Sequence, residues 1–413
     1  MEFDYVYMLI FASLILILGI LEKVRLRGNM KKIPLRIHVN GIRGKSTVTR
    51  LITGILKEAG KKVVGKTTGT SARMIYWDTP EEKPIERGLQ GPNISEQKRV
   101  MNEVVQRGAD SLVTECMAVN PEYQQVFEDE FVQANITVIT NVIEDHLDLM
   151  GPSLDDIAEA LSGTIPYNGH LIISDSPYNE SFMSIAEKRN TKVIIADEAQ
   201  IDEEYLKKFP YMIFPQNAAL ALAVAHVLEI DEETALQGML NAQPDPGAMR
   251  VHQFGPYHSP TYFFNGFAAN DPTSTLNIWK RINTLDYPTD HATVIMNCRN
   301  DRVDRTIQFA KDVLPYMNVK NLVVMGKSVT PITKAYDAGK LNMENFFNME
   351  DQSIDDIIDL LLTIAEGSVI YGIGNIHGGG EELAAAIEKQ KWQLDNEKNS
   401  SPEVEAGKLL EQT

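Results

Sequence analysis

From residue 35 onward the chain alternates short apolar runs with longer stretches whose apolar positions recur every three or four residues. Runs of four to six apolar residues suit strands covered on both faces, and the longer periodic stretches suit helices laid on a sheet. The pattern predicts strands over residues 35–39, 111–114, 137–140, 170–174 and 192–196, with helices over 46–59, 96–107, 154–161 and 217–228. Such alternation is the mark of an α/β domain with a doubly wound, largely parallel sheet. Around residues 241–247 (NAQPDPG) Pro and Gly crowd together and the periodicity stops, which predicts a domain boundary. A second alternation follows, with strands over 261–265, 293–297, 322–325 and 368–371 and helices over 274–282, 307–314, 354–365 and 381–390. It predicts a smaller, Rossmann-like C-terminal domain. The last stretch, 393–413, is polar and reads as a tail.

The first residues break this pattern. Tyr5 to Leu21 (YVYMLIFASLILILGIL) carries no charge and makes a helix of roughly 25 Å, close to the ~30 Å hydrocarbon core of a bilayer. Lys23, Arg25, Arg27, Lys31 and Lys32 follow at once, so the positive-inside rule puts everything after them in the cytoplasm. A cleaved signal peptide would carry its positive charge before the apolar run. The expected organisation is a transmembrane anchor over 1–22, a nucleotide-binding domain over 23–243, a C-terminal domain over 244–392 and the tail.

Composition narrows the function. A chain of 413 residues with 43% apolar and 23% charged residues is an ordinary globular protein of more than one domain. Its formal charge of -18 argues against a nucleic-acid partner, so any anionic ligand must meet a local cluster of cations. The two cysteines, Cys116 and Cys298, have no metal-binding spacing and read as reduced thiols.

The candidate chemistry begins at Asn40-Gly-Ile-Arg-Gly-Lys-Ser-Thr47, between a predicted strand and a predicted helix. Glycines there let backbone N–H groups approach phosphate oxygens at a helix N-terminus. Lys45 is placed to reach the β- and γ-phosphates and the Ser46 hydroxyl to hold Mg²⁺. Such a loop alone fits kinases, GTPases, transport ATPases and ligases. Glu115 closes a predicted strand, and Asn141-Val-Ile-Glu-Asp145-His146-Leu-Asp148 follows another, both at carboxyl ends where open α/β sheets bind ligands. Arg299, Arg302 and Arg305 fall in one short stretch, with Lys327 after the next strand, and Arg is the side chain suited to carboxylates. Arg302 and Arg73 are the candidate substrate contacts.

Taken together, Gly41-x-x-Gly44-Lys45-Ser46, Glu115 and Asp145-His146 resemble the Mur ligase superfamily, whose phosphate loop has this short glycine spacing. Phe214-Pro-Gln-Asn217, Pro246-Gly-Ala-Met-Arg250 and Asn297-Cys-Arg-Asn-Asp301-Arg302 are similar to its later motifs. The resemblance is narrowest to the membrane-anchored ligases of capsular poly-γ-glutamate synthesis. It implies ATP and Mg²⁺ as cofactors, with Asn40, Gly41, Arg43, Gly44, Lys45, Ser46, Thr47, Asn217 and Arg250 at the nucleotide. It also implies Ser46, Glu115 and His146 as metal ligands, and Lys45, Glu115, His146 and Arg250 as the catalytic set. The implied reaction joins a glutamate amine to a glutamyl carboxylate activated as an acyl phosphate, with small integral-membrane partner subunits and room for a homo-oligomer. A transport ATPase, or a Mur-type ligase using another acceptor, remains the alternative. Two departures stand out: Leu161 occupies the position where many Mur ligases carry a carbamylated Lys, and Asn265 and Phe267 replace an Asp and a Lys.

Overall fold

The computed structural model describes residues 2–69, 71–87, 93, 96–144, 147–245, 248–256, 258–269, 271–285 and 287–399. It divides into two compact units, Met1–Phe209 with Ile213–Pro246, and Pro210–Met212 with Gly247–Thr413.

The first unit is built on strands β1 (Leu35–Asn40), β2 (Val63–Lys66), β3 (Arg73–Tyr76), β4 (Lys83–Pro84), β5 (Ser111–Glu115), β6 (Ile136–Ile139), β7 (His170–Ser174) and β8 (Lys192–Ala196). They lie in the order β4-β3-β2-β5-β1-β6-β7-β8. The strands from β2 to β8 in that order run parallel, while β3 and β4 extend one edge antiparallel. β2, β5 and β6 are buried at every position, and apart from Lys66 and Glu115 at the carboxyl ends of β2 and β5 their residues are apolar or small. The helices are α1 (Glu2–Lys31), α2 (Lys45–Glu58), α3 (Glu96–Arg107), α4 (Pro121–Val126), α5 (Leu147–Met150), α6 (Leu154–Ser162), α7 (Asn179–Lys188), α8 (Glu203–Leu206), α9 (Pro215–Val227) and α10 (Glu232–Asn241). Ser153 and Asp156 form a reciprocal capping box that starts α6. α9 is apolar on every face, and each residue from Asn217 to Ala225 is buried between its neighbours.

α1 does not end at residue 22, where the charge-free run stops. It continues to Lys31 because Leu26 and Met30 repeat at helical spacing and pack, with Ile33, on Val64, Met74, Tyr76, Val100, Met101 and Leu112. Glu22 pairs with Lys98 at 2.8 Å, Lys23 with Glu130 at 2.9 Å, and Asn29 hydrogen-bonds Asn102 at 2.7 Å. Arg36 of β1 then donates to the carbonyls of Met30, Ile33, Val132 and Gln133, fastening the helix end to the central strand. The apolar part of α1 before residue 22 is exposed and long enough to cross a membrane.

The second unit has strands β9 (Val251–Phe254), β10 (Thr261–Asn265), β11 (Thr293–Cys298), β12 (Val319–Gly326), β13 (Met343–Glu350) and β14 (Val369–Gly374), in the order β13-β12-β11-β14-β10-β9. All are parallel except β9. Its helices are α11 (Pro272–Thr284), α12 (Val303–Asp312), α13 (Thr330–Asp337), α14 (Ile354–Ile364) and α15 (Gly379–Asn399). Phe254, Phe263, Phe267, Ile295, Val323 and Leu361 centre its core. α15 carries on beyond residue 392 into what reads as tail, because Gln, Leu, Glu and Lys there are good helix formers.

Candidate active site

The register of the central strands assembles the site. β1 pairs with β5 so that Val39 lies beside Glu115, and with β6 so that Asn40 lies beside Ile139. The three carboxyl ends are therefore level, and the segments that leave them meet over one edge of the sheet.

The loop leaving β1 turns on two glycines in the left-handed region, Gly41 at φ 120° and Gly44 at φ 84°. A Cβ on Gly41 would collide with the Thr140 hydroxyl, and one on Gly44 would lie 2.6 Å from Asn217 Oδ1. Both positions thus require glycine on two counts. The Arg43 peptide is held from both sides: its N–H donates to Asn141 Oδ1 (3.0 Å), and its carbonyl accepts from Asn141 Nδ2 (3.0 Å) and Thr140 Oγ1 (2.7 Å). Gly44 caps α2 without a side-chain acceptor, so the amides of the first turn point out of the helix with no cap of their own. That arrangement is an anion cradle.

Lys45 Nζ donates to the carbonyls of Gly41 (2.8 Å) and Ile42 (3.1 Å), so the ammonium lies over the loop. Ser46 Oγ donates to Glu115 Oε2 at 2.9 Å, and the same oxygen accepts from the Thr68 N–H at 2.8 Å. Glu115 is 3% exposed. Two hard oxygen ligands thus face each other beside the cradle, the donor set that suits a Mg²⁺ whose other ligands are water and phosphate. Asp145 and His146 lie outside the described residues. Leu161 is fully buried in α6 and faces the core.

The remaining expected residues divide. Asn40 is buried and turned inward, its Oδ1 accepting from the Gly41 N–H and its Nδ2 reaching Gln124 (2.8 Å) and Thr164 (3.3 Å). Asn217 abuts Gly44 at the start of α9. Its neighbour Gln216, absent from the expected set, donates to the Thr140 carbonyl at 3.3 Å and lines a cavity of about 240 Å³. Ile139, Asn141, Ile173, Asp175 and Phe182 also line this cavity, beside the loop at the carboxyl ends of β6 and β7.

Arg250 belongs to the second unit, where it bridges Tyr211. In that unit Arg299 is tied to Asp301 at 2.6 Å and Arg305 donates to Asn375 Oδ1 at 2.7 Å, while Arg302 caps α12 with its side chain exposed. Burial, and then the charge of Arg302, lowers the pKa of Arg305.

Beneath the loop, His38 on β1 donates through Nδ1 to Glu128 Oε2 at 2.7 Å, both side chains buried. Glu128 sits in a π-helical turn, Phe127–Val132, and its other oxygen accepts from the Ala134 N–H at 2.7 Å. Burial drives the imidazole toward neutrality, but the Cys116 thiol and the Glu128 carboxylate outweigh it and raise its pKa to about 9.

Two family descriptions match this chain, "Mur ligase middle domain" over residues 39–243 and "Poly-gamma-glutamate synthase CapB C-terminal domain" over residues 251–390. The protein "PGA synthase CapB" of Bacillus subtilis (strain 168) is 60% identical over 384 residues, covering 93% of this chain and 98% of that one. The "Capsule biosynthesis protein CapB" of Bacillus anthracis is 53% identical over 377 residues, 91% and 81% respectively. MurF from Acinetobacter baumannii shares the fold at TM-score 0.62 and 18% identity, over 91% of this chain and 80% of that one. A bifunctional folylpolyglutamate synthase/dihydrofolate synthase, solved with Mn, AMPPNP and L-glutamate bound, shares it at TM-score 0.57 and 14% identity, over 88% and 92%. A short-spaced phosphate loop on a doubly wound sheet, followed by a second α/β unit, defines an ATP-dependent ligase of the Mur type. More narrowly, the chain belongs to the CapB family of poly-γ-glutamate synthases.

Proposed function

We propose that this ligase forms the γ-amide bonds of a glutamate polymer at the cytoplasmic face of a membrane, using ATP and Mg²⁺ and releasing ADP and phosphate. The observation that carries the reading is the Ser46–Glu115 pair beside the Gly41–Gly44 cradle, in a chain whose relatives are named for poly-γ-glutamate and capsule synthesis. The α2 amides and Lys45 take the β- and γ-phosphates, and the apolar cavity flanked by Asn141 and Gln216 takes the adenine. Ser46 and Glu115 hold the metal, with His146 as a further ligand. When bound, Mg²⁺ neutralises charge gathering on the transferred phosphoryl group.

In the first step an oxygen of a glutamyl carboxylate attacks the γ-phosphorus. The bond to the β-bridging oxygen breaks, leaving ADP and an acyl phosphate. In the second step a glutamate amine attacks the acyl carbon, phosphate departs with the C–O bond electrons, and the nitrogen loses its proton as the amide forms. Lys45 follows the γ-phosphoryl charge through the first step; preorganised cations of this kind contribute factors of roughly 10²–10³. Arg250 is the candidate contact for the γ-phosphate, and the acyl phosphate needs a site from which water is excluded. Arg302, exposed at the start of α12 while Arg299 and Arg305 are engaged, takes the carboxylate of the incoming glutamate. The exposed run of α1 crosses the membrane, with the Lys23–Arg27 flank on the cytoplasmic side, and offers the surface for small membrane subunits.

The test is ADP release by the full chain in membranes, with ATP, Mg²⁺ and each glutamate enantiomer, followed by analysis of product linkage. Glutamate-dependent release with a γ-linked product is expected. Release that ignores glutamate and makes no amide would mark a transport ATPase. Lys45→Ala should abolish the reaction while the protein stays folded and membrane-bound, and near-normal turnover would refute the loop assignment.

A further inference from the structure

Lys66 and Arg73 bracket loop 67–72, between β2 and β3, and Arg87 reaches it from beyond β4; the ligase chemistry above leaves all three without a role. Lys66 ends β2 fully buried, its Nζ 3.1 Å from Glu96 Oε1. Arg87 shares that carboxylate through Nε (2.9 Å to Glu96 Oε2) and spends Nη1 on the Gly69 carbonyl (2.8 Å). Arg73 opens β3 opposite the loop's first residue: its N–H donates to Thr67 Oγ1 at 3.1 Å, and its carbonyl accepts from the Thr67 N–H at 2.9 Å. Among the described residues its side chain makes one hydrogen bond, a long one of 3.4 Å from Nη2 to Ser71 Oγ.

Two cations therefore share one carboxylate, with Arg73 at the other end of the same loop, in a protein whose overall charge is -18. Arg73 Nε and Arg87 Nη2 are both buried with no hydrogen-bond partner among the described residues. An unpaired buried N–H on a charged group costs about 1–3 kcal/mol or more, so a partner from outside the fold is expected. Burial lowers the pKa of Lys66 and Arg87 lowers it further, as crowding of like charge should.

The position says which anion. Thr68, next to Thr67, donates its N–H to Glu115, and Glu115 accepts from Ser46. The cations thus flank the loop that touches the metal-binding edge, on the side away from the adenine cavity at β6 and β7. The geometry points to a binding subsite, made by Arg73 and Arg87, for the α-carboxylates of an acidic γ-glutamyl chain whose terminal carboxylate is delivered to the Ser46–Glu115 edge. This rests on the ligase reading above. A γ-linked chain keeps one free α-carboxylate per residue, and a guanidinium fork binds such a group bidentately.

The probe is a γ-linked glutamate hexamer, with its uncharged α-amide counterpart as control, titrated into the full-length protein in nanodiscs without ATP. The wild type should bind the acid at least tenfold more tightly than the amide. Arg73→Gln and Arg87→Gln should each weaken the acid about tenfold, the scale of one lost charged hydrogen bond, leaving affinity for a non-hydrolysable ATP analogue within twofold. Arg87 supports Glu96 and its variant can misfold; Arg73 has no ion pair among the described residues, so Arg73→Gln, checked by its unfolding midpoint, decides. Unchanged hexamer binding by a folded Arg73→Gln, or equal binding of acid and amide by the wild type, overturns the subsite. The two readings fail separately. Hexamer binding sensitive to both arginines without any amide product sinks the ligase reading alone, and γ-amide synthesis with arginine-insensitive binding sinks the subsite alone.

Discussion

The buried His38–Glu128 pair gives the first unit a stability that should depend on pH in a direction opposite to that of an ordinary surface carboxylate. The perturbation is Glu128→Gln, which keeps the shape and lets the amide oxygen go on accepting from the Ala134 N–H, but removes the charge opposite His38. The imidazole pKa of the folded wild type stands at about 9 against its ordinary 6.5, so the folded state holds a proton that the unfolded chain releases between those values. Linkage then makes stability fall as pH rises, by at most 1.36 kcal/mol per unit. The contribution is fully present below about 6.5 and gone once the pH has passed 9. Over that window the loss is on the order of 3 kcal/mol. In the variant burial dominates, His38 stays neutral, and stability should be nearly flat across the window. Urea unfolding of the full chain in detergent, followed by circular dichroism at several pH values from 6 to 9.5, reads the difference directly. At a slope of about 2 kcal/mol per molar urea, the wild-type midpoint should exceed the variant's by about 1.5 M at pH 6, with the gap closing by pH 9.5. Parallel midpoint curves over the whole range would refute a charged His38.

Other expectations follow from the site and the anchor. Ser46→Ala removes one of two facing oxygen ligands, so the Mg²⁺ concentration for half-maximal ADP release should rise about tenfold, the scale of one charged hydrogen bond; Glu115 keeps the Thr68 amide, so the fold should be unaffected. An unchanged Mg²⁺ midpoint would remove Ser46 from the metal. Deleting residues 2–21 should leave a folded first unit with its ATP-analogue affinity intact, because the docking contacts begin at Glu22. Deleting through residue 33 also strips Met30 (3% exposed) and Ile33 (0% exposed) from the core cluster, at roughly 2–5 kcal/mol for each large buried side chain. Equal unfolding midpoints for the two truncations would show that α1 is a tether and not part of the domain.

Strands with consecutive apolar residues were readable: β1, β5, β7, β10 and β11, and the edge strand β8 (KVIIA), fall within a residue or so of their expected limits. The other edges were not. β4 is two exposed residues ending in Pro84, and β13 (MENFFNME) is mostly polar and only half-buried, so neither carries a periodic signal of its own. β2 ends in a lysine, which reads as a surface turn until Glu96 and Arg87, brought from distant parts of the chain, make it a buried ion network. The same limit governs the site. The phosphate loop declares itself locally, since glycines, Lys45 and Ser46 are consecutive and their geometry is fixed by the strand before and the helix after.

What the loop needs from elsewhere is invisible in any local stretch: Asn141 clamping the Arg43 peptide from residues away in sequence, Thr68 lending an amide to Glu115, Gln216 lining the cavity while Asn217 fills the space that Gly44 leaves. These contacts exist only because β1, β5 and β6 end level with one another. The anchor bears on the same point. Arg36 binds the last carbonyls of α1 to those after the π-helical turn, and that turn holds Glu128 against His38, two residues before the loop begins. The end of α1, the buried ion pair and the phosphate loop are thus successive contacts along one strand.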